Sequence, residues 1–174
     1  GMQSTMFYAT LTWVPTTLQS IGFTPAEAGN WLSYLTTIGI PLGLFLPMFL
    51  RLFRSYAVAA ITASVVVVVG TLGFALFPGE LLWLWLGLMG IGGGLAFPLS
   101  LAIVTHRAAT GDVTTSLSAM SQGFGYLIAA VGTYAIGVAA EFFDSWTTPL
   151  WILGGIAILQ LVFAGRAGSE SKIH

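Results

Sequence analysis

The 174-residue chain contains no cysteine, which excludes disulfides, thiolate metal sites and cysteine nucleophiles. Charge is almost as scarce. Asp, Glu, Lys and Arg make up 6% of the residues, where a soluble domain carries roughly 25%, so this chain has too little charge to cover a water-exposed surface. The formal net charge of −1 gives no electrostatic reason to expect nucleic acid as a partner. No basic stretch precedes the first apolar run, so a signal peptide is not expected. Asp, Glu, Lys, Arg and His are also missing from the interior of every long apolar run, which argues against a proton relay or fixed counter-ion there. His106 has Asp112 as its nearest carboxylate, and no Ser–His–Asp or metal-ligand grouping stands in a supporting pattern. An enzyme is therefore not expected, and neither is a metal or cofactor.

What the chain does have is apolar length. Hydrophobic residues account for 56% of it, mean hydropathy is +0.92, and there are 22 glycines, a residue membrane helices tolerate better than soluble ones. The few charges are ordered. Arg51, Arg54, Arg107, Arg166 and Lys172 fall in alternate gaps between apolar runs or after the last run, while the other gaps hold Glu27, Glu80, Glu141 and Asp144. Cytoplasmic loops collect Lys and Arg, and acidic residues contribute little to orientation. The pattern predicts an all-α polytopic membrane protein with its basic loops and both ends in the cytoplasm, in the inner membrane of the cell.

A spanning helix takes roughly 20 apolar residues. Six segments qualify, at about 2–18, 28–50, 57–77, 81–104, 117–140 and 149–164, within one transmembrane domain over 1–165 and a cytoplasmic tail over 166–174. Thr24 and Pro25 are placed to cap and open the second span. Residues 108–115 read as a polar loop. The first span has no basic anchor at its cytoplasmic end, so the chain is expected to begin partway along a helix.

Polar residues are concentrated in spans one, two, four and five. Spans three and six are nearly devoid of them, with Val65–Val69 unbroken in the third and Gln160 alone in the sixth. Polar groups in hydrocarbon must face protein or a water-filled space, so spans one, two, four and five are expected to line an interior and three and six to lie outside. Polar-polar-apolar then occurs twice, as in the inverted three-helix repeats of many transporters.

Ser118, Gln122 and Tyr126 share one helix face, as do Ser4, Tyr8 and Thr12 with Gln3 beside them. Such stripes suit either a small polar ligand or hydrogen bonding between helices. Trp13 is expected in an aromatic belt at the outer interface. Gly90-Ile-Gly-Gly-Gly-Leu-Ala-Phe-Pro98 lacks the third glycine of a dinucleotide loop and follows no strand. It is instead a GxxxG contact face through Gly90 and Gly94, or a flexible point. Gly39-Ile-Pro41-Leu-Gly43 poses the same choice.

Taken in order, Gly1-Met-Gln-Ser-Thr-Met-Phe-Tyr8, Thr12-Trp-Val-Pro15, Ala26-Glu-Ala-Gly29, Gly92-Gly-Gly-Leu-Ala-Phe-Pro98 and Leu117-Ser-Ala-Met-Ser-Gln-Gly-Phe-Gly-Tyr126 resemble the cyanate and nitroimidazole transporter family of the major facilitator superfamily. The resemblance covers Gly1 to about Ala164 and implies the C-terminal six helices of a twelve-helix carrier. It further implies alternating access around a site between two six-helix halves. The superfamily's loop signature pairs an Asp with basic residues. Pro47-Met-Phe-Leu-Arg51-Leu-Phe-Arg54 keeps two arginines and lacks the Asp.

The expected function is therefore half of a secondary transporter for a small solute. Gln3, Tyr8, Gln122 and Tyr126 are the leading substrate-binding residues, with Thr37 and Phe97 behind them. The expected partners are the solute, the bilayer, and an N-terminal six-helix half or a second copy. A non-transporting anchor or assembly bundle, or a small homodimeric carrier, is the alternative.

Overall fold

The computed structural model describes residues 1–108, 110–143, 145 and 147–167. Asp144 and Lys172, and the tail from 168 onward, lie outside the described residues. Among the described residues seven helices follow one another: α1 (Met2–Ser20), α2 (Pro25–Leu44), α3 (Leu46–Leu50), α4 (Tyr56–Leu76), α5 (Leu82–Arg107), α6 (Gly111–Phe142) and α7 (Thr147–Ala167). Of these, α4, α5, α6 and α7 are both long and apolar enough to cross a bilayer. The more polar α1 and α2 are 19 and 20 residues long, which at 1.5 Å per residue also matches a hydrocarbon core of roughly 30 Å. The protein is an all-α membrane protein. Among its exposed side chains are Leu52, Tyr134 and Phe142, each more than three-quarters exposed, a surface made for lipid rather than water.

Local sequence explains where the helices start and stop. The Thr24 hydroxyl accepts from the Glu27 amide while Glu27 Oε2 accepts from the Thr24 amide at 2.8 Å, a reciprocal cap with Pro25 at the first turn. The second apolar run does not form one helix. It breaks at Phe45, because Pro47 has no N–H to give the preceding turn and disfavours helical geometry just before itself. The supposed loop 108–115 is helical from Gly111 onward. Thr110 Oγ1 accepts from the Val113 amide, and Asp112 sits in the first turn, where the helix dipole favours a negative charge.

The helices associate in pairs that share neighbours. α1 lies along α6, α2 lies along α5, and α4 is held between α5 and α7, while α1 also touches α2 and α7. Lipid tails are as apolar as the side chains, so close packing and a few hydrogen bonds must hold such a bundle together. Both are visible. The Tyr34 hydroxyl donates to the Trp83 carbonyl at 2.9 Å, joining α2 to α5. Trp13 Nε1 donates to the Thr133 carbonyl at 3.1 Å, and its ring lies over Gly137. Trp13 therefore pins α1 to α6, a contact the belt expectation did not foresee.

The expected outer position of α4 needs correction. Ala59, Ala60, Ala63, Ser64, Val67, Gly70, Thr71 and Phe74 form a buried face against α5 and α7. Within the valine run, Val67 is 4% exposed, while Val65 and Val69 are 41% and 47% exposed. The helix is lipid-facing on one side only. An all-apolar composition hid this, because small apolar residues serve helix packing as well as large ones serve lipid contact.

Candidate functional site

A cleft of about 670 Å³ opens between α1, α2 and α5, with Tyr126 of α6 at its edge. The chain builds it from two stripes and one gap. On α1, Gln3, Ser4, Phe7 and Tyr8 fall on one face by their spacing of three and four. On α2, Leu35, Thr36, Gly39, Ile40, Gly43 and Leu44 do the same. On α5, the run from Met89 to Pro98 supplies the third wall, where the missing side chain of Gly93 leaves open space in the cleft.

Glycines with different jobs alternate along α5. Gly90 lies against the Leu35 carbonyl and Gly94 against the backbone of Gly39, so neither has room for a methyl group. On the facing helix, a methyl on Gly39 would come within 2.9 Å of the Gly90 carbonyl oxygen. This is a double small-residue contact, and it gives the Gly90–Gly94 motif its packing role. Gly93, between them, meets nothing within 4 Å and borders the cleft. Pro98 ends the glycine run; it has no N–H to give the Gly94 carbonyl.

The aromatic groups meet at the cleft's edge. Tyr8 and Tyr126 approach edge-to-face with centroids 6.1 Å apart, and Phe7 stands 5.5 Å from Tyr8 in the same manner. Neither tyrosine hydroxyl has a partner among the described residues. The Gln3 amide donates to Ser4 Oγ at 2.9 Å, and the Thr36 hydroxyl donates into its own helix, to the carbonyls of Leu32 and Ser33. Among the described residues the lining includes no Asp, Glu, Lys, Arg or His, so these side chains offer hydrogen bonds and ring faces but no charge.

Gln3, Tyr8, Phe97 and Tyr126 of the expected set thus come together. Gln122 and Thr37 do not: Gln122 is half-buried outside the lining, and Thr37 is exposed while its neighbour Thr36 takes the wall position. The glycine pair Gly39 and Gly43 fixes which side of α2 meets α5, and counting from it would have selected Thr36. Two further lining residues come from helices expected to lie outside, Val67 of α4 and Gln160 of α7. Gln160 is 8% exposed and donates a long 3.5 Å hydrogen bond to Ser64 Oγ, and its Oε1 has no partner among the described residues. A lone amide in an otherwise apolar span was the available signal. Among the described residues no group of His, Asp and Glu could hold a metal ion.

The chain has clear relatives. It is 34% identical over 170 residues, 97% of the chain and 41% of the relative, to the uncharacterized transporter YycB of Bacillus subtilis (strain 168). It is 29% identical over 174 residues, 100% of the chain and 44% of the relative, to the 2-nitroimidazole transporter of Escherichia coli (strain K12). It is 29% identical over 162 residues, 90% of the chain and 42% of the relative, to the cyanate transport protein CynX of the same organism. No protein-family model and no solved structure matches. The chain spans about two-fifths of the length of these curated relatives. The resemblance first carried by the short motifs from Gly1 to Tyr126 holds along nearly the whole chain, which is homologous to transporters of the cyanate and nitroimidazole kind.

Proposed function

We propose that this chain forms a six-helix half of a secondary transporter that moves a small, uncharged, planar polar solute by alternating access in the inner membrane. Its basic turns and both ends face the cytoplasm, by the one-sided placement of Lys and Arg. The observation that carries the reading is the open cleft in which Gln3, Tyr8, Phe97 and Tyr126 meet without a single charged side chain. Hydrogen bonds from amide and hydroxyl groups would orient the solute, and the rings would cover its faces. The cleft lacks a cation, which favours a neutral solute over an anion such as cyanate. An anion would need its counter-charge from outside this chain. The chain is two-fifths the length of its relatives, so the second wall of the site would come from an N-terminal six-helix half or a second copy. Inverted repeats rocking about a midplane site are the common mechanism for such carriers.

Proteoliposomes test this. Vesicles holding the chain together with an N-terminal six-helix half should take up 2-nitroimidazole, and vesicles holding the chain alone should not. Uptake by a monomer of the chain alone would refute the half-transporter reading, whereas uptake by a dimer of it would point to a homodimeric carrier.

A further inference from the structure

A second cavity, of about 330 Å³, lies at the end of the bundle where α3 finishes, α4 begins and α5 finishes. Its chemistry is unlike that of the cleft. Arg51, Arg54, Ser55, Tyr56 and His106 line it, above a floor of Pro47, Leu50 and Phe53. The His106 and Tyr56 rings stack at 4.5 Å, tilted by 41°, which draws the last turn of α5 toward the first turn of α4. The lining has no acidic residue, and among the described residues neither Arg51 nor Arg54 has an ion-pair partner. Arg51 and Arg54 are exposed and three residues apart, two like charges on one short turn that a single anion would neutralise together.

The surroundings indicate what kind of anion. Phe45, Met48 and Leu52, on the same connection, are between 63% and 77% exposed, so an apolar surface adjoins the basic cavity. A phosphate with acyl chains attached satisfies both features. The head would take paired N–H groups from the arginines, a geometry to which guanidinium is suited. The chains would lie along the exposed apolar side chains. We infer that the Arg51–Arg54–His106 cavity is a binding site for the phosphate headgroup of an anionic phospholipid, which serves as the counter-ion this turn lacks. The inference does not depend on the transport reading, because the cavity lies apart from the cleft and shares no lining residue with it.

Native mass spectrometry of the purified chain in a neutral detergent tests it, with phosphatidylglycerol, phosphatidylcholine and inorganic phosphate as probes. The chain should retain phosphatidylglycerol in preference to phosphatidylcholine. The double variant Arg51→Gln/Arg54→Gln should bind it roughly tenfold to thirtyfold more weakly, since each basic residue near an anionic surface contributes a few-fold or more. Arg51→Lys/Arg54→Lys should recover part of the loss, and Arg166→Gln, at the end of α7, should change nothing. Circular dichroism on each variant separates lost binding from lost folding. Retention by the folded Gln variant equal to that of the native chain would overturn the proposal. So would complete displacement of the lipid by millimolar inorganic phosphate, which would assign the cavity to a free anion instead.

Discussion

Gly94 of α5 lies so close to Gly39 of α2 that the added methyl group of an alanine would overlap the Gly39 backbone, whereas the adjacent Gly93 opens onto empty space in the cleft. Two neighbouring glycines thus make opposite predictions. Gly94→Val should push α2 and α5 apart and lower stability by about 1–3 kcal/mol, the usual penalty of overpacking, read as a drop in melting temperature in detergent. Gly93→Val should leave the melting temperature nearly unchanged and occupy cleft volume, weakening solute binding. If the two variants lose stability equally, the proposed division of roles between packing and cleft is wrong.

Tyr126 and Tyr8 bring their rings together while their hydroxyls have no partner among the described residues. Tyr126→Phe keeps the ring and removes the hydrogen bond. It should weaken binding of 2-nitroimidazole by about twofold to tenfold, the size of one ordinary hydrogen bond, and Tyr126→Ala should weaken it further. The six tryptophans provide the fluorescence for a quenching titration. Identical affinities for the native chain and Tyr126→Ala would remove Tyr126 from the site.

Gln160 carries a buried oxygen without a partner among the described residues and a long contact to Ser64. An amide kept only for helix association would repay its burial with good hydrogen bonds, and this one does not. Gln160→Met has nearly the same volume and no unmet polar atom, so it should melt at the same temperature or higher and bind 2-nitroimidazole less well. A loss of stability of about 1 kcal/mol or more would identify Gln160 as interhelical glue instead.

The start of α2 should respond to pH. Hydrogen bonds from the Thr24 amide, first, and then its hydroxyl hold the Glu27 carboxyl below its ordinary range. A carboxyl group depressed in the folded state stabilises at pH above its unfolded value and loses that contribution as pH falls through the folded value. Amide exchange at Glu27 and Ala28 should therefore speed up on acidification, beyond the intrinsic pH trend, and Thr24→Ala should abolish that dependence. Because Glu27 is fully exposed, the effect should be local fraying with no change in global melting.

Much of this architecture was legible in the chain, for reasons that individual residues make clear. Thr24, Pro25 and Glu27 specify a helix start through contacts within three residues, so the sequence alone was enough. The Gly90–Gly94 contact was readable as one of two options because GxxxG spacing is local, but its partner Gly39 became certain only in three dimensions. Thr36 lines the wall and the expected Thr37 does not, because the rotation of α2 depends on which side meets α5. Val67 and Gln160 line the cleft from helices expected to lie outside, because hydropathy reports how apolar a residue is and not which way it faces. In lipid those two properties are uncoupled, since apolar side chains suit both the bilayer and the packed interior.

Topology gives the remaining test. The turn at 51–55 and the turn at 77–81 are joined by α4, whose 21 residues span about 30 Å at the usual helical rise, so the two turns should lie on opposite sides of the membrane. The chain has no cysteine of its own, and single-cysteine variants therefore need no background correction. Leu52→Cys suits the first turn, because Leu52 is 77% exposed and takes no part in capping α4, which is the role of Ser55. Gly79→Cys suits the second, where a new side chain meets nothing within 4 Å. In right-side-out vesicles an impermeant maleimide should label Gly79→Cys at once and Leu52→Cys only after permeabilisation, since Arg51 and Arg54 favour the cytoplasmic side. Labelling of both from the same side would mean that α4 does not cross the bilayer. Labelling in the reverse order would keep α4 as a span but turn the chain over, placing the basic turn and its proposed lipid phosphate on the outer leaflet.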